Sequence, residues 1–532
     1  MNLLLYNATV YTVNPAQPRA TAIAVANDRI VAVGSDAEID AVRLPNAQRV
    51  NLAGAFVMPG MIDAHLHLQW TGLGMQSVNV FEAPSVQAAV AHVRERAQRT
   101  PPGKWITGEG WTQDVWDPPR FPTAADLDAA TTAHPVMLSA KSGHAAWVNS
   151  VALRLCGITA DTGDPAGGQI VRDAAGQPTG TLLENAMELV ARHIPQPTPE
   201  EEEAATTEAM RAMNLAGLTG AHCMDGGEAS LRSFNTYQRL REQGRMTLRV
   251  VKQLGVEALD TVLRAGIRSG FGDAWLRIGG VKIFADGALG PHTAAMIEPY
   301  ENEPANYGIS TFDREELAET VTRCNQRGLA AVIHAIGDRA NHDALDAFEV
   351  ALAQTGGSPR LRNRIEHAQI VHPDDIARFA QLGVIASMQP IHAIGDMRMA
   401  DAFWGRRSRT AYAWRALADT GARLAFGSDS PVETFDPLVG LHAAVTRRRP
   451  DGYPGPDGWY PEQRLSIEAA IEAYTIGAAY AGGMEREIGS IEPGKLADLI
   501  VLSRDVTRCE SDALLDTTVE RVLLNGEWLN LG

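Results

Sequence analysis

The sequence is poor in cysteine and has no long apolar run. Its 532 residues include four cysteines, far apart and without a Cys-x-x-Cys pair. This spacing argues against a disulfide scaffold or a thiolate zinc site and is typical of a reducing compartment. No apolar stretch approaches the roughly 18 residues that span a bilayer, and the N-terminus lacks the features of a signal peptide. We therefore expect a cytoplasmic protein that does not bind membranes.

Positive charge is also scarce. The chain has 47 basic and 64 acidic residues, a formal net charge of −17, which disfavours non-specific binding to nucleic acid or anionic lipid. We expect a small molecule as the binding partner and consider a homodimer as the assembly. Only five basic residues are lysines, namely Lys104, Lys141, Lys252, Lys282 and Lys495. A lysine beside polar residues is therefore a candidate for chemistry that arginine cannot perform.

The two ends of the chain share the pattern of β-hairpins. Asn27-Asp28 and Asn525-Gly526 each separate two β-rich runs, as turn dipeptides do in hairpins. Each end is too short to bury a core alone. We therefore predict one small β-sandwich domain built from both termini, residues 1–55 and 485–532.

The middle of the chain, residues 56–484, alternates β-rich runs with helical segments. Eight runs can be counted: 56–62, 218–222, 248–252, 278–284, 330–334, 364–367, 384–388 and 424–428. Eight such units predict an α/β fold, a (β/α)8 barrel of the TIM type. The stretch of about 70–200 after the first run is too long for a loop, and we predict an inserted subdomain over the barrel mouth.

Polar residues that can bind metal follow several of these runs. His65 and His67 come after the first run, and residues i and i+2 of an extended chain point to the same face. Imidazole is the commonest metal-ligating side chain, although two strand histidines can also meet by chance. Catalytic residues of barrels lie at the C-terminal strand ends, where the sequence also places Lys282, His334, His367 and Asp429. Their convergence on one barrel mouth predicts a metal site.

Lys282 is the unusual member of this set, because an ammonium is repelled by a dication. A deprotonated lysine can instead take up CO₂ and become a carbamate that two metals share, a role closed to arginine by its high pKa. A salt bridge of Lys282 with Asp286 or Glu184 is the alternative. Lys252, at the end of the third run, is a rival carbamate site.

Together these residues resemble the amidohydrolase superfamily of metal-dependent hydrolases. The superfamily pattern is a His-x-His pair on strand one, lysine on strand four, histidines on strands five and six and aspartate on strand eight. Further motifs resemble its YtcJ-type branch, amidohydrolase family 3, at residues 108–111, 142–150, 282–287, 334–340, 427–432 and 489–499. The chain departs from the branch at Lys141-Ser142 and at Pro291-His292, and we expect both departures to affect substrate selection.

The resemblance implies a zinc centre, with two ions bridged by carbamylated Lys282. The implied metal ligands are His65, His67, Lys282, His334, His367 and Asp429. Asp429 would be the general base of metal-assisted hydrolysis, and His334 or a metal would polarise the scissile carbonyl. His144 completes the candidate catalytic residues. The candidate substrate-binding residues are Trp111, Lys141, His144, Asp338, Arg339 and His292.

The expected activity is hydrolysis of a non-peptide C–N bond in a small molecule. The branch implies an N-substituted formamide or another N-acyl amine as the substrate. A one-metal enzyme acting on N-acyl-amino acids is a second hypothesis. A barrel that has lost catalysis and serves as an interaction or regulatory protein is a third, which the complete ligand set disfavours. Metal analysis would separate the three hypotheses, which require two, one and no metal equivalents respectively.

Overall fold

The structure of the chain is a computed structural model. It describes residues 1–81, 83–112, 116, 119–141, 144–356 and 361–530, with the backbone alone for 227–229. The chain divides into two compact units, one of Met1–Thr71 with Thr206–Gly532 and one of Gly72–Ala205. Across the described residues, no helix combines the length and the apolar character needed to cross a membrane.

The first unit contains the predicted barrel. In the described chain its sheet has eight parallel strands in sequence order: Met61–Leu66, Leu218–Cys223, Arg249–Gly255, Leu276–Phe284, Ala330–Ala335, Arg364–His367, Ile385–Met388 and Leu424–Phe426. Beyond the eighth strand, the Asp429 amide donates to the His65 carbonyl at 2.7 Å, and the His67 amide donates to the Ser430 carbonyl at 2.8 Å. These bonds connect the last strand end to the first, and the prediction of an α/β barrel is confirmed.

Helices follow most of these strands. Those with ten or more residues that lie wholly in this unit are Gly227–Glu242, Arg314–Gln326, Asp338–Thr355, Pro390–Trp404 and Pro437–Thr446. The helix Pro390–Trp404, which contributes to the site, begins with a proline at its first position. Proline is favourable there because its missing N–H has no helical partner to lose. The helix ends at Trp404, and the next residue, Gly405, has a positive φ of 55°, which glycine adopts without steric cost.

The predicted first strand, residues 56–62, is wrong as one element. Phe56–Pro59 pairs with Leu499–Leu502 in a different sheet, and the first barrel strand is Met61–Leu66. The chain changes sheets at Gly60, where a Cβ would lie only 2.2 Å from Thr219 Oγ1. The two strands form one apolar run in the sequence because both are fully buried.

Both ends of the chain contribute to a β-sandwich. A six-stranded sheet has the order Glu527–Trp528, Val519–Leu524, Leu499–Leu502, Phe56–Pro59, Thr9–Tyr11, Arg19–Ala20. A four-stranded sheet has the order Arg29–Gly34, Ala22–Ala26, Asn2–Tyr6, Gln48–Asn51. Leu3 and Val25 of the second sheet share a core with Leu499 and Leu523 of the first. The predicted sandwich is confirmed, while the boundaries 1–55 and 485–532 stay a prediction.

The second unit lies between the first and second barrel strands in the chain, where an insertion was predicted. In its described residues a six-stranded sheet has the order Gly168–Arg172, Pro178–Glu184, Ala145–Val148, Val136–Ala140, Ile106–Trp111, Val78–Asn79. The α-helices that lie wholly within the described part of this unit are Val86–Arg99, Ala124–Asp128, Ser150–Leu155 and Glu188–Ala191, and the helices Leu68–Met75 and Pro199–Leu215 cross its boundaries. This unit has hydrophobic cores of its own. Its predicted place over the barrel mouth stays a prediction.

Candidate metal centre

The six predicted metal ligands line one cavity at the C-terminal ends of the barrel strands. The cavity has a volume of about 380 Å³. The ligands among its lining residues are His65, His67, Lys282, His334, His367 and Asp429. The convergence predicted from the positions of these residues in the sequence is therefore present in the fold.

Three of these side chains are close enough to hold one cation. Ligand atoms of His65, His367 and Asp429 all lie within 4.8 Å of one another. The Nε2 atoms of His65 and His67 lie 3.2 and 3.3 Å from Oδ1 of Asp429. Imidazole nitrogens and a carboxylate oxygen suit zinc and other divalent transition metals. The donor set therefore fits a metal ion.

Asp429 is the carboxylate at the centre of this set. Its φ of 61° lies in the left-handed region, and its backbone N–H donates a hydrogen bond to the His65 carbonyl. Burial opposes its ionisation, but His65, His392 and His67 hold the pKa of the carboxyl well below its usual range. Asp429 is therefore a carboxylate at neutral pH, as a metal ligand or a general base must be.

A buried chain of charges fixes the orientation of His65. Its Nδ1 donates to Oε2 of Glu366 at 2.6 Å, and Oε1 of Glu366 lies 2.7 Å from Nε of Arg364. All three side chains are at most 1% exposed. Burial opposes ionisation of Glu366, but Arg364 and His65 lower its pKa to about 2. The carboxylate fixes the tautomer of His65 and leaves Nε2 for the cavity.

A second buried carboxylate, Asp225, lies behind His67. Its Oδ1 is 3.5 Å from Nδ1 of His67, and its Oδ2 accepts a hydrogen bond from the Tyr237 hydroxyl at 3.0 Å. The Lys252 ammonium donates to the Asp225 carbonyl at 2.8 Å and lies 3.7 Å from Oδ2. Lys252 is thus paired with a carboxylate, which disfavours it as the rival carbamate site.

Lys282 has a different environment. It is 1% exposed, and its Nζ lies 4.9 Å from the centre of the Phe284 ring. Within the described chain, Nζ has no hydrogen bond or ion pair. Asp286 instead accepts N–H groups from Ala295 and Gly337 at 2.9 and 2.8 Å, so the alternative salt bridge with Asp286 is not formed. Burial lowers the pKa of Lys282 to about 8, which makes its neutral amine accessible.

The remaining two histidines each bind a polar neighbour through one ring nitrogen. His334 donates from Nε2 to the Gly287 carbonyl at 2.9 Å, and His367 donates from Nδ1 to Oε1 of Gln389 at 2.9 Å. Burial and the nearby Lys282 lower the pKa of His334 to about 3. Burial and His334 hold the pKa of His367 well below its usual range. Both imidazoles are neutral, as metal ligation requires.

Two titratable side chains of the cavity lining were not predicted from the sequence. His392 and Asp396 lie four residues apart on the helix Pro390–Trp404, and both line the cavity. His392 Nε2 is 3.5 Å from Oδ2 of Asp429, the oxygen that does not face His65 and His67. The signal was a His-x-x-x-Asp spacing directly after the seventh strand, which places both side chains on one helix face.

Three predicted substrate-binding residues of the barrel unit lie elsewhere. Among the described residues, the cavity lining does not include Asp338, Arg339 or His292. Asp338 accepts the Ile297 N–H at 2.8 Å, and Arg339 donates from Nε to the Met296 carbonyl at 3.2 Å. The His292 Nδ1 lies 2.6 Å from Glu303 Oε1. These contacts brace loops, and the predicted substrate roles stay predictions.

The other three, Trp111, Lys141 and His144, lie in the second unit. The Trp111 indole is fully buried, donates its N–H to the Leu138 carbonyl at 2.8 Å, and packs edge-on against Trp147. This environment favours a packing role for Trp111 over contact with substrate. Lys141 is exposed, and the largely exposed His144 has Nδ1 3.0 Å from Glu184 Oε2. The motif residues 142 and 143 lie outside the described residues.

The fold and the site define a class: (β/α)8-barrel proteins with a candidate metal centre of histidines and an aspartate at the strand ends. A model of the amidohydrolase family matches residues 48–529. The chain belongs to the amidohydrolase family. The predicted resemblance to this family is confirmed, and so is the prediction that the protein is a hydrolase. The match does not establish which bond is cleaved.

Several relatives match nearly the whole chain. Protein LONG AFTER FAR-RED 3 of Arabidopsis thaliana is 35% identical over 94% of this chain and 87% of its own length. The putative amidohydrolase YtcJ of Bacillus subtilis (strain 168) is 31% identical over 99% of each chain. The N-substituted formamide deformylase of Arthrobacter pascens is 30% identical over 99% of this chain and 97% of its own. The predicted resemblance to the YtcJ-type branch is confirmed.

A solved structure shows the same fold. An uncharacterised metal-dependent hydrolase from Pyrococcus furiosus superposes with a TM-score of 0.78 at 30% identity. The match covers 96% of this chain and all of that one. The similarity therefore extends over both units and the terminal sheets.

Proposed function

We propose that the protein is a metal-dependent amidohydrolase that cleaves the C–N bond of a small amide, an N-substituted formamide or another N-acyl amine. The observation that carries the proposal is the convergence of His65, His67, Lys282, His334, His367 and Asp429 on one cavity. The similarity to an N-substituted formamide deformylase over nearly the whole chain supports the substrate class.

His65, His67, His367 and Asp429 would hold the metal, with His334 and Lys282 available for a second ion. When bound, the metal lowers the pKa of water and polarises the scissile carbonyl. Asp429 is ionised and lies beside the histidines, so it accepts a proton as the oxygen of water bonds to the carbonyl carbon. It then donates this proton to the leaving nitrogen as the C–N bond breaks. The products are a carboxylic acid and an amine.

Lys282 is proposed to be carbamylated. The ammonium first loses one proton to water; the neutral amine then forms an N–C bond with CO₂ and loses a second proton to water, which leaves an anionic carbamate. Two features support this step: Lys282 has no acidic partner in the described structure, and it lies among neutral histidines. The carbamate would supply the oxygen ligands that a two-ion site needs.

The second candidate is a one-ion enzyme acting on N-acyl-amino acids. Its one-ion site is favoured by the closeness of His65, His367 and Asp429, which can hold a cation without any modified lysine. Metal analysis distinguishes the two candidates, because the first requires two equivalents and the second one.

The test is a metal-reconstituted sample assayed over formamides, N-acyl-amino acids, carbamates and lactones. We expect hydrolysis of formamides with two metal equivalents, and loss of metal and turnover in His65→Ala. His342→Ala is the matched control, since His342 is partly exposed and pairs with Asp375 outside the cavity. Lys282→Ala should be inactive and partly rescued by short-chain carboxylic acids. Full turnover in His65→Ala would refute the proposed centre.

A further inference from the structure

The cavity contains a carboxylate that the hydrolytic chemistry does not use. Asp396 lines the cavity from the helix Pro390–Trp404, one turn after His392. In the described chain Asp396 has no ion pair with an arginine or a lysine. Asp396 can therefore accept a hydrogen bond from a molecule that enters the cavity.

The Asp396 carboxylate is held in place by neutral donors on one oxygen. Oδ2 accepts hydrogen bonds from the Tyr412 hydroxyl at 2.6 Å and from Nε2 of Gln369 at 3.1 Å. Both donors are 2% exposed. Because both bonds go to Oδ2, the other oxygen, Oδ1, keeps its acceptor capacity.

The supporting residues are themselves fixed by the backbone. The Tyr412 amide donates to the Gln369 carbonyl at 2.6 Å, and the Tyr412 carbonyl accepts a hydrogen bond from the fully buried Arg447 at 2.9 Å. Tyr412 also has a φ of 53°, in the strained left-handed region. Strain of this kind persists only where the surrounding structure enforces it. The carboxylate is therefore preorganised.

Apolar side chains form much of the remaining lining. They are Phe284, Ala288, Leu289, Ile336, Met399 and Val432. Such a surface suits a hydrocarbon chain, and a single charged group within it sets the orientation of a ligand. A cavity of about 380 Å³ accepts a small molecule of this kind.

We propose that Asp396 is a specificity-determining residue that binds an ammonium group on the amine side of the substrate. The substrate class is then an N-acylated diamine or a related amide with a cationic tail. The inference rests on the proposed function and refines it, because it concerns which amide the same cavity selects. The competing explanation is that Asp396 only braces the helix against Gln369 and Tyr412.

The test uses two substrates of equal size, the mono-formyl derivative of diaminobutane and N-pentylformamide. They differ only at the end of the chain, which carries an ammonium group in the first compound and a methyl group in the second. We expect the parent protein to prefer the cationic compound. Asp396→Asn should lower kcat/KM for that compound by about 10- to 100-fold, the usual effect of a hydrogen bond to a charged group. The neutral compound should lose much less kcat/KM than the cationic one, so the preference for the cationic compound should disappear while the metal content stays unchanged.

Two controls separate recognition from bracing. Asp419→Asn changes an exposed carboxylate on the helix Trp414–Asp419 and should leave the preference intact. Tyr412→Phe removes one brace but keeps the carboxylate, so it should retain a preference for the cationic compound. If bracing were the only role of Asp396, Asp396→Asn would slow both compounds equally, and the inference would be overturned.

Calorimetric binding of butylammonium and of butanol provides a readout that does not depend on turnover. The parent should bind the ammonium more tightly, and Asp396→Asn should abolish this difference. Equal binding of both compounds by the parent overturns the inference, even if formamides are hydrolysed. If formamides are not hydrolysed but the ammonium preference is present, the proposed substrate class fails and the role of Asp396 stands.

Discussion

Glu366→Gln tests whether the buried charge chain of Arg364, Glu366 and His65 supports the proposed metal site. Glu366 has two acceptor oxygens, one facing Nδ1 of His65 and one facing Nε of Arg364. Glutamine is neutral and has only one acceptor oxygen, so Arg364 loses its anionic partner in either orientation of the amide. Nδ1 of His65 keeps its acceptor only if the amide oxygen faces it, so the substitution disturbs the charge balance of Arg364 and can also disturb the tautomer of His65.

The expected loss of stability in Glu366→Gln can be derived from the pKa of Glu366. Arg364 and His65 overcome the effect of burial and lower this pKa from 4.5 to about 2. At about 1.4 kcal/mol per pKa unit, the folded protein favours the ionised carboxyl of Glu366 by about 3.5 kcal/mol. Removing one partner of a buried ion pair costs about 3–5 kcal/mol. Loss of the group that orients a metal-ligating histidine lowers metal affinity by about 10–100-fold.

Two assays separate these effects: chelator competition for metal affinity, and thermal unfolding of the metal-free protein. Glu366→Gln should lower both the metal affinity and the thermal stability of the metal-free protein. Adding Arg364→Met removes the unpaired cation, so the double variant should recover part of the thermal stability but not the metal affinity. Glu349→Gln is the matched control, because Glu349 pairs with Arg378 at the surface. Unchanged metal affinity in Glu366→Gln would refute the argument.

Further predictions concern catalysis, acid stability and packing. Asp429→Asn should reduce kcat by about 10²–10⁴-fold through loss of the general base; a parallel fall in metal content would instead identify Asp429 as a ligand only. His144→Ala should lower kcat/KM without releasing metal, and an unchanged kcat/KM would leave His144 a surface residue. Because the pKa of Glu366 is lower in the folded protein, its contribution to the free energy of unfolding is complete above pH 4.5 and disappears as the pH falls towards 2. In an acid-unfolding titration, Glu366→Gln should lack this pH-dependent loss of stability. Gly60→Ala should destabilise the protein by about 1–3 kcal/mol through overpacking, since the new methyl group would collide with Thr219; a midpoint of chemical unfolding equal to that of the parent would contradict this.

The barrel and its six candidate ligands could be predicted because their signals are local. Each of His334, His367 and Asp429 follows a short apolar run, and a strand end specifies a position in a barrel. The pair His65 and His67 adds the two-residue period of an extended chain. The spatial convergence then follows from the topology, without knowledge of any distance.

The parts that could not be predicted depend on contacts between distant segments. Glu366 directly precedes a predicted ligand, but its bond to His65 joins residues that are 301 positions apart. His392 and Asp396 lie on the helix Pro390–Trp404, and their place in the cavity depends on how that helix packs, which the end of the seventh strand does not specify. Gly60 divides one apolar run between two sheets at a point where a Cβ would collide with Thr219, and the run itself does not reveal this close approach.

The mixed terminal sheet has a consequence for the order of folding during synthesis. Phe56–Pro59 pairs on one side with Thr9–Tyr11, but its other neighbour is Leu499–Leu502. This hydrogen-bonding edge of Phe56–Pro59 therefore stays unpaired until residues 499–502 have left the ribosome. The barrel strand Met61–Leu66 follows directly, with His65 at its end. The domain that leads into the candidate metal site therefore closes only after Leu499–Leu502 has been synthesised, and a nascent chain stalled before residue 499 would expose an unpaired, apolar strand.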